Sequence, residues 1–169
     1  MIQFKKQPPG RLIAAGFAML ILFGAVLLLL PLSVRGDAEV HFIDALFTST
    51  SAVCVTGLIA IDVADHFTTF GQAVVAVLIQ VGGLGVTSIG VGLILAARKN
   101  VGLKGRILLK EALNIEGIKG MIRLVKSILL MTLCFELMGI VLSFLVFVQD
   151  YPVLKALWIS IFHSIAAFN

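Results

Sequence analysis

Three long stretches without a charged side chain constrain this chain more than any other feature. Leu12 to Val34, His66 to Ala97 and Ser127 to Gln149 run for 23, 32 and 23 residues, the last interrupted only by Glu136. A helix crossing a bilayer needs about 20 mainly apolar residues, so each stretch is long enough to span. Composition agrees: 13% of the 169 residues are charged, against about a quarter in an ordinary soluble domain. A fourth apolar run, Ala156 to Phe168, is only 13 residues long. That length suits a segment that dips into the membrane and returns. The basic start and apolar middle of residues 1–34 resemble a secretory signal, but the run is longer than a signal core and leaves through Pro31, Ser33 and Arg35 without a small-residue cleavage pattern. It reads as a retained helix.

Charge placement gives the orientation. Lys5, Lys6 and Arg11 precede the first span, and eight further Lys and Arg lie between Arg98 and Lys126, so 3 + 8 = 11 of the 13 basic residues fall on one side. Short loops rich in Lys and Arg stay in the cytoplasm. The N-terminus and the 98–126 connection are therefore expected there. Asp37, Glu39, Asp62, Asp65 and Asp150 lie on the other side with only Arg35 and Lys155. The first span ends outside and the second starts outside, so residues 42–58 either form an outer loop or dip in and return. Phe42, Ile43, Ala45, Leu46 and Phe47 favour dipping.

An internal repeat supports this. An offset of 115 residues pairs Ile13 with Ile128, Leu22 with Leu137, Gly24 with Gly139, Val26 with Val141, Leu27 with Leu142 and Leu30 with Leu145. Without a gap it then pairs Phe47 with Phe162, Ser49 with Ser164 and Ala52 with Ala167, and it places Asn169 opposite Cys54. The unit is helix, outer loop, short apolar segment, and its second copy breaks off before a partner for Gly57. The chain is accordingly expected to be the N-terminal part of a longer protein.

The segment Thr48–Asp62, TSTSAVCVTGLIAID, carries no charge before its last residue and is rich in hydroxyls. Irregular backbone at membrane depth is tolerated only where it lines a cavity or is buried in protein. Val53, Cys54, Val55 and Thr56 favour extended backbone, and Gly57 can adopt positive φ at little cost. A helix over 42–51 would cross about half a bilayer core, with its negative dipole end turned inward toward a cation. Ser49, Thr50 and Ser51 would satisfy backbone groups where that helix stops. Inward-facing carbonyls that replace the hydration shell of K⁺ are the known use of such a strand.

Taken together, DALFTSTSAVCVTGL (Asp44–Leu58), GQAVVAVLIQVGGLGV (Gly71–Val86) and FHSIAAFN (Phe162–Asn169) resemble the Trk/Ktr/HKT superfamily of K⁺ transporters, most nearly its bacterial Ktr-type membrane subunit. The resemblance implies an all-α membrane protein of K⁺-channel type, built from four helix–pore-loop–helix repeats, of which about one and a half are present. Residues 1–97 would form the first repeat, with spans near 12–34 and 71–97, a pore helix over 42–51 and a filter over 53–57. Residues 98–126 would connect in the cytoplasm, and 127–169 would begin the second repeat, with a span near 127–148 and a pore helix near 156–167. The family's filter glycine falls on Gly57. The ion-binding positions fall on Val53, Cys54, Val55, Thr56 and Gly57, with Asn169 opening the second filter.

The function so implied is K⁺ uptake across the bacterial inner membrane by a multi-pass pore subunit, with Na⁺ as candidate coupling ion. The implied partners are membrane lipid, a cytosolic nucleotide-binding ring subunit and a second copy of the full-length subunit. Neither nucleic acid nor an organic cofactor is expected. The alternative is a non-conducting membrane fragment with a structural or interaction role. An intramembrane enzyme using Ser164 beside His163, or Ser88, fails for want of a nucleophile elbow and a supporting buried acid.

Other residues have plainer readings. Gly82, Gly83, Gly85, Gly90 and Gly92 lack the spacing of a nucleotide loop and suit close helix approach. Cys54 and Cys134 make no disulfide framework or metal spacing. Asp44 sits where a carboxylate favours a helix N-terminus. Glu136, an acid within a span, calls for a partner, and a cytoplasmic Lys or Arg is the expected one. The 98–126 connection alternates basic and apolar residues, as a surface-lying amphipathic helix does.

Overall fold

The computed structural model describes residues 9–36, 38–85, 88 and 121–169. Among the described residues six helices follow one another: α1 (Pro9–Leu28), α2 (Phe42–Val53), α3 (Val63–His66), α4 (Thr69–Leu84), α5 (Met121–Phe147) and α6 (Val153–Phe168). Among the described residues the only β pairing is an isolated bridge between Val34 and Phe67. The 98–120 part of the basic connection lies outside the described residues.

Helices α1 and α5 are long and apolar enough to cross a membrane, with mean hydropathies of 2.3 and 2.4 over Gly10–Leu28 and Arg123–Phe147. At 1.5 Å per residue they extend about 30 and 40 Å. Proline opens α1, where its missing N–H costs nothing. Leu130, Met131, Leu133, Leu137, Val141 and Leu145 of α5 all lie exposed, a surface suited to hydrocarbon rather than water.

Helix α2 is half as long as a span, and its buried face packs between α1 and α4. Leu28, Ala45, Ala52, Val53, Phe67, Val75 and Leu78 form the core, with Phe162 of α6 packed against it. The C-terminal end of α1 and the N-terminal end of α4 are fastened by backbone bonds: Arg35 N donates to His66 O at 2.9 Å and Thr68 N to Ser33 O at 2.9 Å. Thr68 also donates its hydroxyl to Leu32 O at 2.7 Å while its oxygen accepts from Gly71 N, so one side chain caps α4 and ties it to α1. Asp62 caps the short α3 through Ala64 N and Asp65 N.

Helix α4 runs to Leu84 and is interrupted at Gly85; apart from Ser88, the rest of the span expected to reach residue 97 lies outside the described residues. Gly85 adopts φ 78° and ψ 134°, a conformation essentially reserved for glycine. With Gly82 and Gly83 just before it, the last turn has little helix propensity to carry it further.

The 115-residue repeat is visible as contacts. Ser49 Oγ donates to Ile21 O at 2.7 Å and Ser164 Oγ donates to Glu136 O at 2.8 Å; both members of each pair are displaced by the same offset. In both copies the serine sits over a helix glycine: a Cβ on Gly24 would overlap Ser49 Oγ, and one on Gly139 would overlap Ser164 Oγ. The copies differ in what else is there. A Cβ on Gly24 would also lie 2.7 and 2.9 Å from the methyls of buried Leu78, whereas at Gly139 the hydroxyl is the only atom within 3.0 Å. Alanine gains about 1 kcal/mol of helix propensity over glycine, and overpacking costs about 1–3 kcal/mol. Gly139→Ala is therefore expected to leave thermal stability in detergent nearly unchanged, and Gly24→Ala to lower it. Equal effects would show that the two crossings are not packed as described.

Candidate cation-coordinating site

The site forms where α2 stops. Val55 N donates to Ala52 O at 3.3 Å and Thr56 N donates to Ser51 O at 3.0 Å. This is the double bond pattern of a Schellman cap, whose central residue must take positive φ and is usually glycine. Here that residue is Val55, at φ 54°, a rare setting for a β-branched side chain. Gly57 follows at φ 69°. The expected extended strand over Val53–Thr56 is thus replaced at its start: Val53 is the last helical residue, Cys54 is αR at φ −86° and ψ 0°, and Val55 is left-handed. Orphan carbonyls at the helix end recruit the next N–H groups, and that outweighs the extended preference of valine.

Ser51 holds the loop back against the helix. Its hydroxyl donates to Leu58 O at 2.7 Å and accepts from Thr56 Oγ1 at 3.1 Å. Ser49 is committed to α1, and Thr50 donates to Leu46 O within its own helix. Of the three hydroxyls expected to serve the helix end, Ser51 alone reaches the loop. Asp44 accepts from His41 N at 3.1 Å, which places it at the N-terminus of α2 as a capping group.

A cavity of about 420 Å³ opens beside this loop. Val55, Thr56, Gly57, Leu58 and Asn169 line it, with Phe162 and Ala166 of α6 opposite. Val53 and Cys54, both expected at the ion site, are not among the lining residues. Val53 is 1% exposed, and α4 lies directly on its peptide: a Cβ on Gly82 would overlap the carbonyl oxygen, carbonyl carbon and Cα of Val53. Cys54 is exposed outside the cavity. Among the described residues, no hydrogen-bond donor reaches the carbonyl oxygens of Val55, Thr56 or Gly57. Unpaired carbonyls beside a cavity are suited to a cation or to water. The buried Thr48 hydroxyl, also on the cavity wall, has no partner among the described residues.

The second copy reaches the same place. Helix α6 runs alongside α4 in the same direction, joined at one end by Trp158 Nε1 donating to Gln72 Oε1 at 2.7 Å. At the other end Asn169 Nδ2 donates to Gln80 Oε1 at 3.1 Å. A Cβ on Gly83 would overlap the Asn169 side chain. Adjacent glycines of α4 thus back the two copies, Gly82 against Val53 and Gly83 against Asn169, which is the close approach the glycine-rich stretch predicts. Glu136 is 8% exposed, and its Oε1 lies 3.4 Å from Asn169 Nδ2. The side chain it meets is therefore an amide, in place of the Lys or Arg expected from its position. Gln80 was not singled out in the sequence, although a glutamine inside an uncharged apolar run is itself a signal.

The serine–histidine pair is apart in function. Ser164 is committed to a backbone carbonyl, and the His163 ring meets Phe147 edge-on at 5.8 Å.

The family model of TrkH, a cation transport protein, matches residues 14–169. The chain is 44% identical over 164 residues to the potassium/sodium uptake protein NtpJ of Enterococcus hirae, covering 97% of this chain and 36% of that protein. It is 41% identical over 169 residues to the Ktr system potassium uptake protein B of Bacillus subtilis, covering 100% and 38%. A protein of the same name from Vibrio alginolyticus is 38% identical over 160 residues, covering 94% and 34%. The chain thus spans little more than a third of the length of these relatives.

Proposed function

The chain belongs to the TrkH family of cation transport proteins, and from that premise we propose that it forms part of the pore of a K⁺ uptake system, with the carbonyls of Val55, Thr56 and Gly57 as cation ligands. The observation that carries this reading is the run of backbone carbonyls without donors beside the cavity, on a loop with positive φ at Val55 and Gly57. A regular strand sends successive carbonyls to opposite sides; left-handed residues at every second position turn them toward one side. Such a row replaces water around a desolvated cation. Cys54 and Val53 take supporting places behind the row. Asn169 supplies the corresponding start in the second repeat.

The membrane is the site of action, as the family and the apolar helices indicate. Several crossings with a cytoplasmic N-terminus remain part of the proposal, supported by the 11 of 13 basic residues on one side. The names of the relatives support K⁺ as cargo, and the NtpJ name supports Na⁺ as a second cation. A relative named as one lettered protein of a system supports a partner subunit, which we take to be a cytosolic nucleotide-binding ring beneath a dimer of membrane subunits. The work done by the protein is then transport rather than catalysis of a covalent step.

Expression of the native gene in a bacterium lacking its own K⁺ uptake systems tests the reading. Growth at micromolar-range K⁺ and ⁸⁶Rb⁺ uptake are expected. Failure of both, with the protein present in the membrane, contradicts it. Ser51→Ala is a milder test of the loop: it removes both hydroxyl bonds, to Leu58 O and from Thr56 Oγ1, and at about 0.5–1.5 kcal/mol each should weaken K⁺ affinity by at least roughly fivefold at unchanged protein level.

A further inference from the structure

A polar cluster lies where α4, α5 and α6 meet, beside the carbonyl row but separate from it. Asn169 Nδ2 faces three acceptors: Ile165 O at 3.0 Å, Gln80 Oε1 at 3.1 Å and Glu136 Oε1 at 3.4 Å. Its Oδ1 lies against Gly83. With acceptors on one side of the amide and a glycine on the other, the amide has one favourable orientation.

The internal repeat isolates what Glu136 adds. Ile21 occupies the matching place in the first copy, and Cys54 matches Asn169. The backbone half of the arrangement is the same in both copies, since Ser49 and Ser164 each donate to the carbonyl of that matching residue. The side-chain half is present only in the second. Helix crossing by itself therefore does not require an acid at this place, because the first copy crosses with isoleucine. An ionisable group inside a span is costly to insert and is retained where it serves a pathway or a partner.

We propose that Glu136 is a positioning residue: together with Gln80 it fixes the Asn169 amide, and through it the direction in which the second repeat presents its backbone to the cation cavity. The role needs an acceptor at residue 136 rather than a negative charge. This inference rests on the reading of the cavity as a cation site.

The test is a double-mutant cycle on the protein expressed from its native gene, read as ⁸⁶Rb⁺ uptake kinetics and competition by Na⁺, with the amount in the membrane measured alongside. Uptake by the unaltered protein is scored first, and its absence overturns the transport reading and this inference together. With that uptake present, Glu136→Ala should raise KM by roughly fivefold to tenfold, the range for losing a buried hydrogen bond, and lower discrimination against Na⁺ while the maximal rate changes little. Glu136→Gln, which keeps an acceptor, should stay within about twofold of the unaltered KM, less than half of one such bond. Adding Glu136→Ala to Asn169→Ala should cause no further rise, as coupled residues do. Gln80→Leu should move KM in the same direction and serves if Glu136→Ala does not accumulate. An unchanged KM and selectivity in Glu136→Ala, full additivity with Asn169→Ala, or Glu136→Gln as damaging as Glu136→Ala would each overturn the proposal while leaving transport itself intact.

Discussion

Gly57→Val is expected to abolish high-affinity K⁺ uptake while leaving the protein in the membrane. Gly57 sits at φ 69°, and a Cβ added there meets nothing within 4 Å. The requirement for glycine is therefore conformational, with no steric part. A left-handed setting costs an L-residue about 1–2 kcal/mol, and a β-branched side chain pays more. Val55 already bears that strain two residues earlier at φ 54°, and strained loops persist only where the surroundings over-determine them. Adding a second strained valine should make the loop relax, turning the Thr56 and Gly57 carbonyls off the cavity. A loss of 2 kcal/mol in cation binding corresponds to roughly thirtyfold in affinity. Gly57→Asn separates the causes, because asparagine enters the left-handed region more readily than other residues. It should retain most of the affinity that valine loses. Equal damage from both, measured as KM for ⁸⁶Rb⁺, would mean that the side chain rather than the backbone angle is at fault.

The second large effect is expected at Gly82. A Cβ there would fall within 3.0 Å of three backbone atoms of Val53, and backbone cannot rotate aside as a side chain does. Overpacking of about 1–3 kcal/mol exceeds the gain of about 1 kcal/mol in helix propensity. The displaced group is the residue from which the carbonyl loop hangs. Gly82→Ala should thus lower the thermal midpoint in detergent and reduce uptake at the same time. Gly10→Ala is the control: its added methyl meets nothing within 4 Å, so the thermal midpoint should hold or rise slightly from helix propensity and uptake should stay put. A Gly82→Ala protein with normal stability and normal uptake would show that α4 does not press on Val53.

What could be read from residue order follows from the range of each interaction. The half-length α2, the recurrence of its contacts in α6 and the glycine-backed approach of α4 all rest on spacing along one helix, and spacing is visible in a sequence. The left-handed Val55 is different. Its φ is imposed by unsatisfied carbonyls at the end of α2, against the preference of the residue itself, so propensity pointed to a strand. The interruption of α4 at Gly85 is a related case. Hydropathy continues unbroken across it, but Gly82, Gly83 and Gly85 remove the local stiffness, and an apolar run does not report where a helix is interrupted. The partner of Glu136 was out of reach for another reason. Choosing Asn169 over a lysine requires knowing which side chains α6 brings to α5, a tertiary fact with no local signature.

The central claim is that Val55, Thr56 and Gly57 bind the transported cation through their backbone carbonyls. The most direct measurement is anomalous diffraction from crystals of the native protein grown in Rb⁺ or Tl⁺. The account predicts an anomalous peak within bonding distance of those carbonyls, lost when Na⁺ replaces the heavier ion. A peak confined to other residues, or none in crystals that diffract well at this loop, would contradict it.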